Sequence, residues 1–292
     1  MKLLKSIALA AISLPIGACC CGGKKVAGDG GSQVTASTSI AKMADPERVK
    51  SVKKIAVASV FAECDIKNET QKGALGAASA ISGLKNQEML RSPATLDKAA
   101  PAFASEIAKA TGWTVIPLEE MTSNPAYAEK TFPADLREQV KITRKALGCA
   151  GGNYRVLTVD YPDRAGELAT ALGVDAVLLA QFQLIIKYDE MGTDATVAMW
   201  SNGHLNLVGQ DGQVLFKDRM TTRSDNTIPT KLGNIDWTQV PSLGPSALQN
   251  AAKKFAADLQ KQGVPLTPAY GSSPAPSASP KPSPAPSPAP SK

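Results

Sequence analysis

The sequence predicts one α/β (α+β) domain, a mixed sheet with an antiparallel three-strand meander and helices packed on it. Three observations predict it. Residues 54–60 and 174–180 are apolar on both faces, as strands covered on each side must be. Apolar residues elsewhere recur at helical spacing and stop at glycines. Three long runs between 175 and 223 alternate in polarity and are separated by turn residues.

In chain order, Ile55, Val57 and Ser59 point one way from the first strand and Ala56, Ala58 and Val60 the other, so that strand is central. Leu96, Ala100, Phe103, Ile107 and Ala110 form a helix stopped by Gly112; Pro101 inside it predicts a kink or the true helix start. Residues 113–116 read as a short strand. Pro133 suits the first turn of a helix over 133–147, with Leu136, Val140 and Leu147 inward, Gly148 as its stop, and a basic outer face of Arg137, Lys141, Arg144 and Lys145. Residues 154–159 read as an extra strand. A helix over 163–172 follows, capped by Asp160 or Asp163 and closed by Gly173. The meander is 175–187, 194–208 and 213–223, with Asn202-Gly203 read as a bulge. A last helix over 245–262 buries Leu248, Ala252, Phe255 and Leu259.

The amino terminus places the domain. Lys2 and Lys5 precede an apolar run over 7–16, and Ile16-Gly17-Ala18 then stand before Cys19. This reads as a lipoprotein signal peptide over 1–18, with the Cys19 thiol receiving the lipid. The run is too short for a permanent membrane helix, which needs about 20 residues. Residues 19–48, poor in large apolar side chains, read as a flexible tether, and 271–292, alternating Pro with Ala and Ser, as a disordered tail. The folded body is then 49–270. The formal charge of +6 falls to about +4 once the signal leaves, a scattered excess that does not argue for nucleic acid.

Of five cysteines, Cys19, Cys20 and Cys21 sit at the processing site; Cys64 and Cys149 either form a disulfide or are two buried free thiols. Neither has metal-site spacing. His204, the single histidine, has no Gly-x-Ser-x-Gly serine to serve, and no phosphate-binding glycine pattern is present, so no cofactor or metal is indicated. Asp160, Asp163 and Glu167 read as helix-capping and solvated carboxylates, with paired acid–base work as the alternative. Trp113 and Trp200 read as core or half-buried. Trp237 is the best surface aromatic for a partner, with the basic row Arg137, Lys141, Arg144 and Lys145 as a second docking candidate.

Over 52–262 the body resembles the α/β domain shared by the curli-secretion-channel lipoprotein, the penicillin-binding-protein activator lipoproteins and the amino-terminal domain of the Tol translocation protein. The resemblance rests on Lys54-Ile55-Ala56-Val57, on the helix ending at Thr111-Gly112-Trp113, on residues 168–178 with Ala171-Leu172-Gly173-Val174-Asp175-Ala176-Val177, and on the turn Gln210-Asp211-Gly212. It implies a non-enzymatic binding or assembly protein on the periplasmic side, and it carries over no catalytic residue. The channel relative builds a pore from long hairpins. Residues 73–80 within the insertion 62–94 lack the alternation such strands need and read as a small-residue helix or loop. The expectation is an outer-membrane lipoprotein, held by Cys19, that binds another envelope protein or the cell wall. The alternatives are an oligomeric secretion-channel-like component and a carboxylate-dependent hydrolase.

Overall fold

The computed structural model describes residues 40–43, 45–70, 83, 86–135, 148–190, 195–231 and 234–268. Its strands are β1 (Ile40–Met43), β2 (Lys54–Glu63), β3 (Lys67–Asn68), β4 (Thr114–Val115), β5 (Gly148–Ala150), β6 (Ala176–Glu190), β7 (Thr196–Gly209), β8 (Val214–Arg223) and β9 (Ile228–Pro229). Its α-helices are α1 (Pro46–Ser51), α2 (Ser92–Thr111), α3 (Leu118–Ser123), α4 (Pro125–Lys130), α5 (Pro162–Leu172) and α6 (Val240–Lys261). Together they make a mixed α/β fold.

The sheet order is β1-β8-β7-β6-β2-β4, with β3 extending beside β6, β5 beside β2 and β9 beside β7. β2 runs parallel to both β6 and β4, whereas β6, β7, β8 and β1 are antiparallel neighbours. Parallel neighbours require crossovers. The path from β2 to β4 passes through α2, and the path back across β2 to β6 passes through α5. Right-handed crossovers in opposite directions along a sheet place these two helices on opposite faces.

The face under α2 and α6 is the main core. Phe103 meets Phe182 edge-on at 5.6 Å, and Phe255 meets Phe216 at 5.4 Å and Trp113 at 6.5 Å. The two helices approach closely because residue 244 has no side chain: a Cβ there would lie 2.3 Å from Thr95 Cγ2. α2 runs through Pro101 to Gly112, so the proline neither starts nor ends it. Proline removes the N–H that would bond the carbonyl four residues back, here Asp97. The chain after β5 crosses at that place, and the Gly152 N–H donates to Asp97 Oδ1 at 2.9 Å.

On the opposite face, α5 buries Ala165, Gly166, Leu168 and Ala169. Beside it, Tyr127 of α4 donates its hydroxyl to the Ala58 carbonyl at 3.0 Å and accepts from the Arg155 N–H at 2.9 Å. Ser59 of β2 does the same work, donating to the Arg155 carbonyl and accepting from the Leu157 N–H. These bonds fix residues 154–159 as an irregular strap. They are not the strand that their composition predicts: Val156 makes one isolated bridge, to Phe132, and the extra strand is β5 instead.

Other expectations are corrected. The body begins at β1, not at residue 49, because a four-residue edge strand needs little hydrophobicity when β8 supplies its partners. Phe132 and Asp135 make isolated bridges to Val156 and Cys149, and no helix starts at Pro133. Neither Asp160 nor Asp163 caps α5, whose N-cap position is Tyr161, without a side-chain cap bond. Asn202 and Gly203 pair in continuous register with β6 and β8; the glycine is there because the Phe182 ring fills the place of a Cβ, 2.9 Å away. The signal with Cys19, residues 73–80, the basic row Arg137, Lys141, Arg144 and Lys145, and the tail lie outside the described residues.

Candidate binding face

Beyond the reach of α5, the same face of the sheet carries polar side chains over β6, β7 and β8 that no described helix covers. Antiparallel register sets them in rows, because residues directly opposite each other share a face. In one row, Gln183 donates to Glu63 at 3.0 Å, Asn202 donates to Gln183 at 3.4 Å, and Thr221 donates to Asn202 at 2.9 Å. This is a continuous hydrogen-bonded ladder over four strands. The next row holds Ile185, Trp200 and Arg223 in register. Lys187 lies 3.9 Å from the centre of the Trp200 ring, and Arg223 makes a bidentate ion pair with Asp189. The Trp200 Nε1–H is buried without an acceptor.

On the other side of the ladder stand Gln181, His204 and Arg219, then Asn206 and Lys217. Burial, followed by the charges of Arg219 and Lys217, lowers the His204 pKa, so the imidazole is neutral at pH 7. Lys217 and Arg219 are exposed and have no ion pair among the described residues. This is a half-exposed surface of amides, hydroxyls, one indole and cations. Such groups recognise polar partners.

On the helix-covered face, β8 brings in an acid. Phe216, Asp218, Met220 and Thr222 share one parity and face inward. Asp218 is fully buried, and neither of its carboxyl oxygens closes a hydrogen bond with a donor. Burial, then the neighbouring Asp258 carboxyl, raises its pKa to about 7, while Lys254 and the Arg219 N–H pull the other way. Asp258 is itself 2 % exposed and ion-paired to Lys254 and Lys261. Of the two buried carboxyls, Asp218 is therefore the one that takes up a proton as pH falls through about 7, beside the ion-paired Asp258.

The remaining sequence candidates are dispersed. Trp237, expected at the surface, is buried: Asp236 caps a short 3-10 turn over Trp237–Gln239, and the indole packs beside Gly83. Trp113 is buried, and Trp200 is half-buried on the open face. Cys64 and Cys149 form a disulfide across the β2–β5 end of the sheet. With Asp135 they are the one group of potential metal ligands drawn together among the described residues, and both sulfurs are used in the bond. Asp160, Asp163 and Glu167 serve no common centre. Glu167 pairs with Lys130 at 2.6 Å, while Asp163 lies against the Gly212 turn. A small cavity of about 200 Å³ is lined by Arg48, Ser51, Val52, Asp175, Gln210 and Leu215. Its polar groups are engaged: Arg48 with Asp211, Asp175 with the Lys53 and Lys54 N–H groups, Gln210 with the Val174 carbonyl. No described helix is long and apolar enough to cross a membrane.

No family model matches the chain, and no curated protein does. Among solved structures it is similar to a PelC dodecamer from Paraburkholderia phytofirmans crystallised in space group P6, at 13% identity and TM-score 0.23, over 73% of this chain and 96% of that one. A point variant of that dodecamer in space group C2 gives 12% identity and TM-score 0.25 over the same shares. A likeness this slight carries no argument about function or assembly.

Proposed function

We propose that this chain is a lipid-anchored, non-enzymatic binding and assembly factor on the periplasmic side of the outer membrane. Cys19 holds it there, and the open polar face of its sheet engages another envelope protein or the cell wall. The family resemblance read from residues 168–178 belongs to the same proposal. The observation that carries the reading is the ladder Glu63–Gln183–Asn202–Thr221 with Trp200 beside it. Half-exposed sheet faces bearing aromatic and cationic side chains are interface chemistry.

Two measurements test it. The mass of the amino-terminal peptide from native membranes reads acylation at Cys19, and an unmodified Met1 refutes the anchor. A photoreactive residue placed at Gln183 or Asn202 captures an envelope component in cells, while the same residue at the exposed Lys98 of α2 does not. Equal capture at all three positions, or none, refutes the face.

A further inference from the structure

We propose that the β1–β8 edge of the domain rests on anionic phospholipid headgroups, the surface to which residues 19–39 tether it. The inference deepens the anchoring reading above. β1 is the first described strand and follows directly on the segment that leads from Cys19. Across the antiparallel pair, Lys42 stands directly opposite Lys217, and Arg219 is two residues further along the same face of β8. All three are exposed, and none has an ion pair among the described residues.

Like charges directly opposite each other on neighbouring strands are unfavourable. Here they stand together with no acid paired to them among the described residues. The acid nearest in sequence, Asp218, points to the other face and is buried against α6. An uncompensated cationic row on an edge strand is complementary to a dense sheet of phosphates.

The tether supplies the partner. Residues 19–39 number 21, and a chain of that length reaches at most about 75 Å, so a lipid at Cys19 would keep the edge within that distance of the headgroups. A single acyl chain combined with a basic patch is a stronger anchor than either alone. The ladder residues Gln183 and Glu63 lie two and three strands away from β8, about 10–14 Å across the sheet at ordinary strand spacing. An edge-on contact at β1–β8 thus leaves them open to a protein partner.

The test uses residues 19–292 with Cys19→Ser, so that no acyl chain contributes. The protein is sedimented with vesicles of equal parts phosphatidylglycerol and phosphatidylcholine, and with phosphatidylcholine alone. The expected result is binding to the anionic vesicles only, weakening as salt rises. Each cation near the surface contributes roughly fivefold in partition, so Lys42→Gln/Lys217→Gln/Arg219→Gln lowers it about a hundredfold, with an unchanged thermal midpoint showing that the fold is intact. Lys53→Gln/Lys98→Gln/Lys109→Gln, which removes three exposed cations away from β1 and β8, leaves partition unaltered. The proposal is overturned if the parent ignores anionic vesicles, or if the edge variant binds them as the parent does. Because this protein carries no lipid, such a result strikes the edge contact alone and leaves the acylation measured at native Cys19 standing.

Discussion

Replacing Asp218 by asparagine removes the proton-binding group of the buried carboxyl pair while keeping its shape. In the folded state Asp218 titrates at about 7, against an ordinary 3.8. One pKa unit corresponds to about 1.36 kcal/mol, so the difference is worth about 4 kcal/mol over the whole range. The sign follows from which state holds the proton. Below 3.8 both folded and unfolded chains carry it; between 3.8 and 7 only the folded chain does. Relative to high pH, the stabilisation is complete below 3.8 and is lost as pH rises through 7. Between pH 8 and pH 5 this group alone therefore raises the stability of the parent by roughly 2–3 kcal/mol.

Asparagine is neutral throughout, and its amide N–H donates to the Asp258 carboxylate, which Lys254 and Lys261 continue to neutralise. The Asp218→Asn variant is expected to be more stable than the parent at pH 8, by about 1–3 kcal/mol after discounting relaxation around the buried carboxylate. It is expected to match or fall below the parent at pH 5. Urea midpoints measured every half unit from pH 5 to 8 give both curves. Parallel curves for parent and variant, or a variant clearly less stable at pH 8, refute the assignment of the proton to Asp218.

Three further outcomes follow from packing and bonding. Reducing the Cys64–Cys149 bond, or replacing both cysteines by alanine, opens a loop with a sequence separation of 85 and lowers stability by about 4.5 kcal/mol on the chain-entropy account, read from urea midpoints with and without reductant. Gly244→Ala gains up to about 1 kcal/mol of helix propensity but drives its Cβ to 2.3 Å from Thr95 Cγ2; overpacking wins, and a net loss of about 1–3 kcal/mol is expected. Combining it with Thr95→Ser, which deletes that methyl, recovers much of the loss in a double-mutant cycle. Tyr127→Phe leaves the Ala58 carbonyl and the Arg155 N–H without a hydroxyl, at about 1–3 kcal/mol, with faster amide exchange confined to residues 154–159.

How much of this was legible in the sequence depends on what decides each feature. β2 and β6 read directly because strands buried on both faces must be apolar throughout, and α2 and α6 because their stripes are long enough to show a period. α3 and α4 span six residues each, too few for periodicity, although Asn124-Pro125 is a cap signal that the structure uses. Trp237 misled because its stretch has no regular period, yet Asp236 is an ordinary capping residue and turns the indole inward. Asp218 hid among Lys217 and Arg219. Its parity with Phe216, Met220 and Thr222 was the available sign that it faces the core. The open face was only half visible. Alternation in residues 181–184 shows polar side chains on one side of β6, but their exposure depends on how far α5 reaches, and that is a tertiary fact.

The ladder has a consequence for how the face binds. Asn202 accepts from Thr221 and donates to Gln183, which in turn donates to Glu63, so in the free protein each of these groups already has a partner. A ligand gains little net energy by replacing one hydrogen bond with another of equal strength. What the ladder offers is position: four strands hold these side chains in fixed places, so little rotamer entropy is lost on contact. Affinity must then come from groups outside the ladder, the half-buried Trp200 ring with Lys187 over it. Asn202→Ala should therefore broaden the set of captured partners while weakening capture only a few-fold, whereas Trp200→Ala should abolish capture. The opposite ranking, measured by photocrosslinking from position 183, would mean that the ladder itself supplies the binding energy and is not already satisfied in the free protein.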